Sequence, residues 1–296
     1  MNDFAAEQIA AISRLFSSSV IREMARKGES ALFTRLAKQS GLADSLPSTG
    51  LVRSLFDAGF SVLRRPGLRH EYIYKSALTK NILLGKHSLR TASILTEFRA
   101  VDCKVDLAIL NGSATAYEVK SERDSLVRLE RQIAAYSKVF PRVYVVAAEC
   151  HVPEIMTSFP EDIGILRLNN RHNISMLREA EDRVDRTSPE AIFDSIRTEE
   201  ARMILSSLGH SIPVVPNTEL NFMLRQLFVD LAPREAHNGM VKVLRQTRSS
   251  LPLANLVDEL PGSLQMAALS VTLRKIDHRR LVTAVNTPLE TAMCWH

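Results

Sequence analysis

An Asn-Gly pair between two short apolar runs is the feature that most constrains the fold of this chain. Asn111 and Gly112 separate residues 104–110 from residues 114–120. Asn-Gly between alternating apolar runs is among the strongest hairpin signals in a sequence, because both residues tolerate positive φ. We therefore predict two antiparallel strands joined at this turn.

The length of the turn decides which side chains share a face of the hairpin. A two-residue loop would oppose Asp106 to Tyr117 and leave Asp106 and Glu118 on opposite faces. A three-residue loop over residues 111–113, with Gly112 in a left-handed conformation, would oppose Asp106 to Glu118. Both loop lengths are allowed, and bringing the two acids together requires the second or a compensating bulge.

The acids in the second register suit a metal site. Two facing carboxylates raise each other's pKa, and a divalent cation such as Mg²⁺, which takes oxygen ligands, removes the conflict. Asp106 and Glu118 are the predicted ligands, with the carbonyl of Val119 as a further one. A metal held there could polarise a phosphoryl oxygen and acidify a bound water. Lys120 would orient that water or stabilise the negative charge that develops on the phosphorus centre.

The segment after the hairpin has the pattern of an amphipathic helix. We predict this helix from about residue 124 to residue 140, where Pro141 prevents its continuation. Arg128, Gln132 and Tyr136 are spaced four residues apart and therefore lie on one ridge. If the helix lies on the sheet, this ridge can overhang the carboxylates.

The flanking segments complete an α/β pattern. A helix over residues 71–84, strands over residues 91–100, 142–148 and 163–168, and the hairpin give the order α-β-β-β-α-β plus an extra strand. This order predicts an α/β fold with a mixed sheet flanked by helices.

Three regions are expected. Residues 1–66 form an N-terminal helical region that is either winged-helix-like or a small helical cap, residues 67–185 form the α/β core, and residues 186–296 form a C-terminal α-helical domain. The basic run 274–280 in the last region could touch phosphates, although such runs are more often solvated helix faces.

Composition narrows the class of protein. The formal net charge is +5, a mild excess that is compatible with nucleic acid. Three scattered cysteines argue against a disulfide framework or a zinc site and suit a reducing cytoplasm. No apolar run approaches the roughly 18 residues of a membrane span. We expect a cytoplasmic protein with no membrane partner.

Several short motifs together resemble one known superfamily. Asp106, the triplet Glu118-Val119-Lys120 and the later Gln132-x-x-x-Tyr136 are similar to the PD-(D/E)xK (restriction-endonuclease-like) nucleases, in the RecB-like branch that carries a QxxxY motif. Local sequences resemble a poorly characterised bacterial and phage-associated family within it; they are residues 71–75, 96–99 and 117–126. Val105 departs from the superfamily's name, because proline is expected before the aspartate.

The resemblance implies an αβββαβ core, dependence on Mg²⁺ or Mn²⁺, and a DNA substrate. It also implies that Glu71 joins the metal shell from the first core helix, with Glu97 as a second supporting acid. The residues expected to contact the nucleic acid are Arg128, Lys104 and Lys75. Phage defence and DNA processing are the settings that such a family suggests.

Other interpretations stay open. An isolated Glu-x-Lys triplet occurs on many solvated strands, packing alone could explain Tyr136, and a dipole effect could explain Glu71. The whole fold could serve a non-catalytic nucleic-acid-binding or regulatory protein. A homodimer is one expectation, because cutting both strands often uses two sites. A protein partner bound through residues 186–296 is another.

Overall fold

The computed structural model describes residues 4–47 and 49–296, except the side chain of Asn217. Residues 1–3 and Ser48 fall within the predicted N-terminal helical region and lie outside the described residues. None of the helices in the described part of the chain combines the length and the apolar character needed to cross a membrane.

Helices occur along the whole of the described chain, whereas its strands lie between residues 93 and 178. The α-helices are α1 (Ala6–Leu15), α2 (Ser18–Lys27), α3 (Ala31–Ser40), α4 (Val52–Leu63), α5 (Glu71–Leu78), α6 (Leu129–Ser137), α7 (Val152–Ser158), α8 (Pro189–Ser195), α9 (Thr198–Ser207), α10 (Asn217–Val229), α11 (Pro233–Thr247), α12 (Ala254–Glu259), α13 (Gln265–Leu269), α14 (Lys275–Val285) and α15 (Leu289–Ala292). The strands are β1 (Ser93–Ala100), β2 (Cys103–Asn111), β3 (Ser113–Lys120), β4 (Arg142–Ala147), β5 (Gly164–Leu168) and β6 (Ile174–Arg178).

The chain divides into two compact units. Unit 1 comprises the described residues up to Lys86, Asn170–His172 and Leu251–His296, and unit 2 comprises His87–Asn169 and Asn173–Ser250. The sequence placed boundaries after residues 66 and 185, whereas the units divide the chain after residues 86 and 250. The difference arises because the C-terminal segment packs with the N-terminal helices, which no local pattern reveals.

Unit 1 joins the two ends of the chain. Helix α14 packs against α2, and the hydroxyl of Thr34 in α3 donates to the carbonyl oxygen of Ala292 at 2.8 Å. Leu51 forms an isolated β-bridge with Pro288. Gly41 ends α3 in a left-handed conformation, with φ +67°.

Unit 2 contains a mixed sheet in the order β1-β2-β3-β4-β5-β6. Strands β1, β2 and β3 are antiparallel, β3, β4 and β5 are parallel, and β6 is antiparallel to β5. The buried core includes side chains of the sheet together with side chains of α6, α8, α9, α10 and α11. The predicted α/β class with a mixed sheet and flanking helices is confirmed.

The hairpin between β2 and β3 adopts the register that the metal-site prediction needs. Leu107 pairs with Tyr117 and Asn111 pairs with Ser113, so the next position along the ladder opposes Asp106 to Glu118. Gly112 at the tip has φ +70°, a conformation that costs glycine little.

Helix α6 begins later than the sequence predicted. It starts at Leu129 rather than near residue 124. The carboxylate of Asp124 accepts hydrogen bonds from the backbone nitrogen of Ser121 at 2.7 Å and from its hydroxyl at 2.6 Å. These side-chain bonds stabilise a turn, which competes with the first helical turn for the same backbone groups.

The structure contains two elements that the sequence did not predict, and its helical regions are divided into short helices. The two elements are α7 and β6, and the two helical regions consist of several short helices, among them α1 to α3, α8 and α9, and α13 and α14. The division between α8 and α9 is a capping interaction, in which the backbone nitrogen of Arg197 donates to Glu200 at 2.8 Å. Apolar periodicity does not detect such a local restart of a helix.

Strand β1 is distorted next to the predicted acids. The ladder with β2 pairs Thr96 with Leu107 and Phe98 with Val105, but the intervening pair of Glu97 and Asp106 is missing from it. Glu97 has φ +52°, in the left-handed region that side chains rarely adopt. Such strain costs on the order of 1–3 kcal/mol and is concentrated at functional sites.

The strain at Glu97 predicts an inverted preference for glycine. In an ordinary strand, alanine is more stable than glycine by about 0.5–1 kcal/mol. At position 97 we expect Glu97→Gly to exceed Glu97→Ala in free energy of unfolding by about 1 kcal/mol, because only alanine keeps the left-handed penalty. Denaturant unfolding of the purified variants measures this difference.

The matched control is Arg99, which is also exposed and pairs with Lys104 in the regular part of the same strand. There Arg99→Ala should be more stable than Arg99→Gly. If glycine lowers stability equally at both positions, Glu97 carries no backbone strain.

Candidate metal centre

Three elements of unit 2 position the predicted side chains. Strand β2 carries Asp106, and β3 carries Glu118 and Lys120, which share a face because side chains alternate along a strand. Helix α6 carries Gln132 and Tyr136, one helical turn apart. Gln132, Tyr136, Glu118 and Lys120 make direct contacts with one another.

Glu118 is the centre of this network. Its side chain is buried, with 2% of the residue exposed, and Lys120 is 6% exposed. The Lys120 Nζ lies 3.0 Å from Glu118 Oε1 and donates to Gln132 Oε1 at 2.9 Å. The amide nitrogen of Gln132 also donates to Glu118 Oε1 by a short hydrogen bond. A lysine, a glutamine and a carboxylate therefore form a closed triangle.

Tyr136 holds the second carboxylate oxygen of Glu118. Its hydroxyl lies 2.8 Å from Glu118 Oε2 and 2.6 Å from the carbonyl oxygen of Lys104. The amide nitrogen of Gln132 donates to the same hydroxyl at 3.3 Å. Since a phenol has one proton, it donates to one of its two acceptors at a time. Either way, Tyr136 connects α6 to both strands of the hairpin.

Burial governs the electrostatics of the network. Burial raises the pKa of the Glu118 carboxyl above its ordinary value, although the charge of Lys120 and the hydrogen bonds from Tyr136, Lys120 and Gln132 act in the opposite direction. Burial and the negative charge of Glu118 raise the pKa of Tyr136. Tyr136 thus stays a neutral hydrogen-bond donor at physiological pH.

Asp106 and Glu97 form a more accessible acidic pair beside the network. Asp106 Oδ2 accepts a hydrogen bond from the backbone nitrogen of Val119 at 2.8 Å. A carboxylate oxygen of Asp106 and one of Glu97 lie within 4.8 Å of each other. The charge of Asp106 also contributes to the raised pKa of Tyr136, so Asp106 and Glu118 both lie near the Tyr136 hydroxyl.

Hydrogen-bonding capacity remains at Glu118 for a cation. Oε1 accepts from both Lys120 and Gln132, whereas Oε2 accepts from the Tyr136 hydroxyl. A carboxylate oxygen has two lone pairs, so Oε2 can accept a further bond. Asp106 and Glu97 offer the hard oxygen donors that Mg²⁺ and Mn²⁺ prefer, with carboxylate oxygens within 4.8 Å of each other, whereas Glu118 is not a member of that close acidic group among the described residues.

The other residues predicted for unit 2 lie at the margin of this group. Arg128 is exposed at the N-cap of α6. Lys104 is also exposed, and its carbonyl is the group that joins the network. Val119 contributes its backbone nitrogen to Asp106, and the role of its carbonyl as a ligand stays a prediction.

Two predicted residues belong to unit 1. Glu71 is the first residue of α5 and forms an ion pair with Lys75 one turn later. The residue Lys75 is buried, whereas Glu71 is exposed. The metal role of Glu71 and the nucleic-acid role of Lys75 stay predictions.

Sequence reasoning missed the backbone groups of the centre. The carbonyl of Lys104 and the backbone nitrogen of Val119 hold Tyr136 and Asp106, respectively. Every residue has such groups, so no sequence pattern marks those that will be used. Only the pairing of β2 with β3 and the packing of α6 select them.

Comparison with known protein families gives a match over about two thirds of the chain. The family model for bacteriophage P4 protein cII matches residues 65–256, which is 192 of the 296 residues. Protein cII of Enterobacteria phage P4 is 32% identical over 93 residues, covering 31% of this chain and 35% of that protein. The chain thus spans about a third of the length of the curated relative it matches.

A solved structure with weak similarity is the SPO1766 protein of unknown function from Silicibacter pomeroyi. The TM-score is 0.31 and the sequence identity is 19%, with 50% of this chain and 97% of that chain covered. The family model, in contrast, matches more than half of the sequence, and the chain belongs to the bacteriophage P4 protein cII family.

Proposed function

We propose that this protein is a metal-dependent nuclease that hydrolyses phosphodiester bonds in DNA. The chain order α5, β1, β2, β3, α6 and β4 is consistent with the αβββαβ order expected of a restriction-endonuclease-like core and supports this proposal. The motif residues Asp106, Glu118, Lys120, Gln132 and Tyr136 support the same assignment.

The observation that carries the proposal is the buried Glu118 network. Burying an ionisable pair such as Glu118 and Lys120 usually costs more than it gains, and apolar residues of similar size would stabilise the core as well or better. Here the buried pair is joined to Gln132 and Tyr136 and lies beside the acid Asp106. Costly polar groups concentrated beside accessible carboxylates are typical of active sites.

The donor set fits a divalent cation. Asp106 and Glu97 would hold Mg²⁺ or Mn²⁺, with Glu118 as a further proposed ligand, and the bound ion would supply polarisation of a phosphoryl oxygen and a lower pKa for a bound water. Glu97 supports this fit because the register of β1 with β2 puts it opposite Asp106, and their carboxylate oxygens lie within 4.8 Å of each other.

The remaining side chains would neutralise negative charge on the substrate and hold the catalytic groups in position. Lys120 places a positive charge 3.0 Å from Glu118, where it can stabilise negative charge that develops on a phosphate. Gln132 fixes the Lys120 ammonium group through its carbonyl oxygen, and Tyr136 fixes the Glu118 carboxylate. Residues held by several hydrogen bonds keep the geometry that catalysis requires.

A second candidate function is nucleic-acid binding without turnover. One observation favours it: both Glu118 oxygens accept hydrogen bonds from side chains, so the network is already satisfied internally. Metal binding distinguishes the two functions, because a non-catalytic protein has no need of a cation at Asp106.

For catalysis, we expect plasmid DNA to be cleaved in the presence of Mg²⁺ or Mn²⁺ and not in EDTA. Asp106→Asn, Glu118→Gln and Lys120→Met should each lower the rate by on the order of 100-fold or more, because each removes an electrostatic element of the site. Agarose gels of plasmid conversion measure the rate. The substitutions keep side-chain size, which limits damage to the buried network.

Matched controls are Asp102→Asn and Lys138→Ala, which remove an exposed acid near β2 and an exposed lysine at the end of α6. Both should retain cleavage. Full activity in folded Glu118→Gln and Lys120→Met proteins would refute the proposed nuclease.

For metal binding, titration calorimetry with Mn²⁺ should detect binding that Asp106→Asn abolishes and Glu97→Gln weakens. Lys120→Met should retain the metal or bind it more tightly, because removing a nearby positive charge lowers electrostatic repulsion. The same variant should lose cleavage, which separates the ligand role from the role of the lysine. Wild-type protein that binds DNA but no Mn²⁺ would favour the non-catalytic function.

A further inference from the structure

A basic groove lies on unit 1 between the end of α2 and the outer face of α14. Its volume is about 640 Å³, and it is lined by Gly28, Lys275, Ile276, Arg279, Arg280 and Thr283. The α14 residues at positions 275, 276, 279, 280 and 283 are spaced so that they lie on one helical face. The groove is therefore a continuous surface of one helix against the terminus of another.

The cations around the groove come from both helices. Helix α2 ends with Arg26 and Lys27, and Gly28 then turns the chain with φ +85°. Arg26, Lys27, Lys275, Arg279 and Arg280 are all exposed. The cations that line the groove itself belong to α14, and on the α2 side Lys27 forms an ion pair with Glu23 at 3.9 Å.

The acid within this basic run, Asp277, offsets the charge of Arg274 and part of the charge of Arg280 and leaves Lys275 and Arg279 without an acidic partner among the described ion pairs. Asp277 is buried, and hydrogen bonds from the side chain and backbone of Arg274 lower its pKa to about 2. Arg274 forms an ion pair with Asp277 at 2.9 Å, and Arg280 approaches the same carboxylate at 4.0 Å. Asp277 thus caps the N-terminus of α14 by accepting hydrogen bonds from Arg274, while Lys275 and Arg279 line the groove.

Arg280 also fixes the shape of the groove. Its guanidinium donates to the carbonyl oxygen of Arg26 at 3.0 Å. That carbonyl belongs to the last turn of α2, where the partial negative charge of the helix end favours a cation. The contact ties α14 to the end of α2 beside the groove.

We infer that this groove binds the phosphate backbone of a nucleic acid. Arginine and lysine on one helical face supply most of the sequence-independent affinity for such a backbone. Ile276 is 59% exposed in the middle of the cations and can contact the sugars, which are the apolar part of the backbone. An acidic peptide would match the charge, but the convergence of two helices on one continuous groove favours a regular polyanion.

The test is binding of a labelled DNA duplex to the full chain, followed by fluorescence anisotropy at increasing salt concentrations. EDTA is present throughout, so cleavage cannot occur and the result is separate from the proposed nuclease. We expect Lys275→Ala combined with Arg279→Ala to weaken binding roughly tenfold and to lower the slope of log affinity against log salt by about two, close to one per lost phosphate contact. The exchange Lys275→Arg with Arg279→Lys keeps the charge and should bind almost as wild type.

Arg202→Ala combined with Lys242→Ala is the matched control. These two residues are exposed cations lining a different groove, between α9 and α11 of unit 2. Removing them lowers the net charge equally, yet binding and salt slope should stay unchanged. Circular dichroism melting checks that both double variants fold, and the single variant Arg279→Gln repeats the test with a smaller change.

Three outcomes would overturn the inference. The first is no binding of DNA by the wild-type chain at low salt. The second is equal weakening in the groove variant and the unit 2 control, which would indicate an effect of net charge alone. The third is binding of a polyglutamate peptide, but not DNA, that depends on Lys275 and Arg279, since it would identify an acidic protein segment as the occupant.

Discussion

The candidate centre depends on the burial of one carboxylate, that of Glu118. A buried acid is tolerated only when its oxygens are hydrogen-bonded and its charge is balanced, because removal from water disfavours the charged form. Lys120, Gln132 and Tyr136 supply those partners from β3 and α6. The packing of the helix on the hairpin and the state of this carboxylate therefore depend on each other.

The backbone of the same region contains a strained residue. Glu97 occupies the left-handed region within a strand, at the position opposite Asp106. A regular ladder would satisfy the backbone there at lower cost and would also place the two opposed side chains on one face, so the strain is an added cost beside the two carboxylates. Buried ionisable groups and a strained backbone position lie close to each other here. This coincidence supports the proposed function more strongly than either feature alone.

The two units present their charges differently. In unit 2 the acids are held beside a buried lysine, whereas in unit 1 the cations of α14 face outward and the associated acid, Asp277, is buried. An acid–cation centre in one unit and a basic groove in the other suit chemistry and backbone binding, respectively. Each property depends on contacts within its own unit.

The sequence by itself determined the hairpin, its glycine tip and the identity of the residues in the centre. Asn111-Gly112 between apolar runs specifies a turn locally, and the spacing of Gln132 and Tyr136 places both on one helical face. The sequence left the register open between two loop lengths, and the structure selects the one that opposes Asp106 to Glu118.

Only the tertiary structure decided the rest. Strain at Glu97, the use of the Lys104 carbonyl, the late start of α6 and the union of residues 251–296 with the N-terminal helices depend on long-range packing and on backbone groups that every residue has. Local patterns encode which face of an element is apolar, but the partner that covers this face is chosen by the free energy of the whole fold.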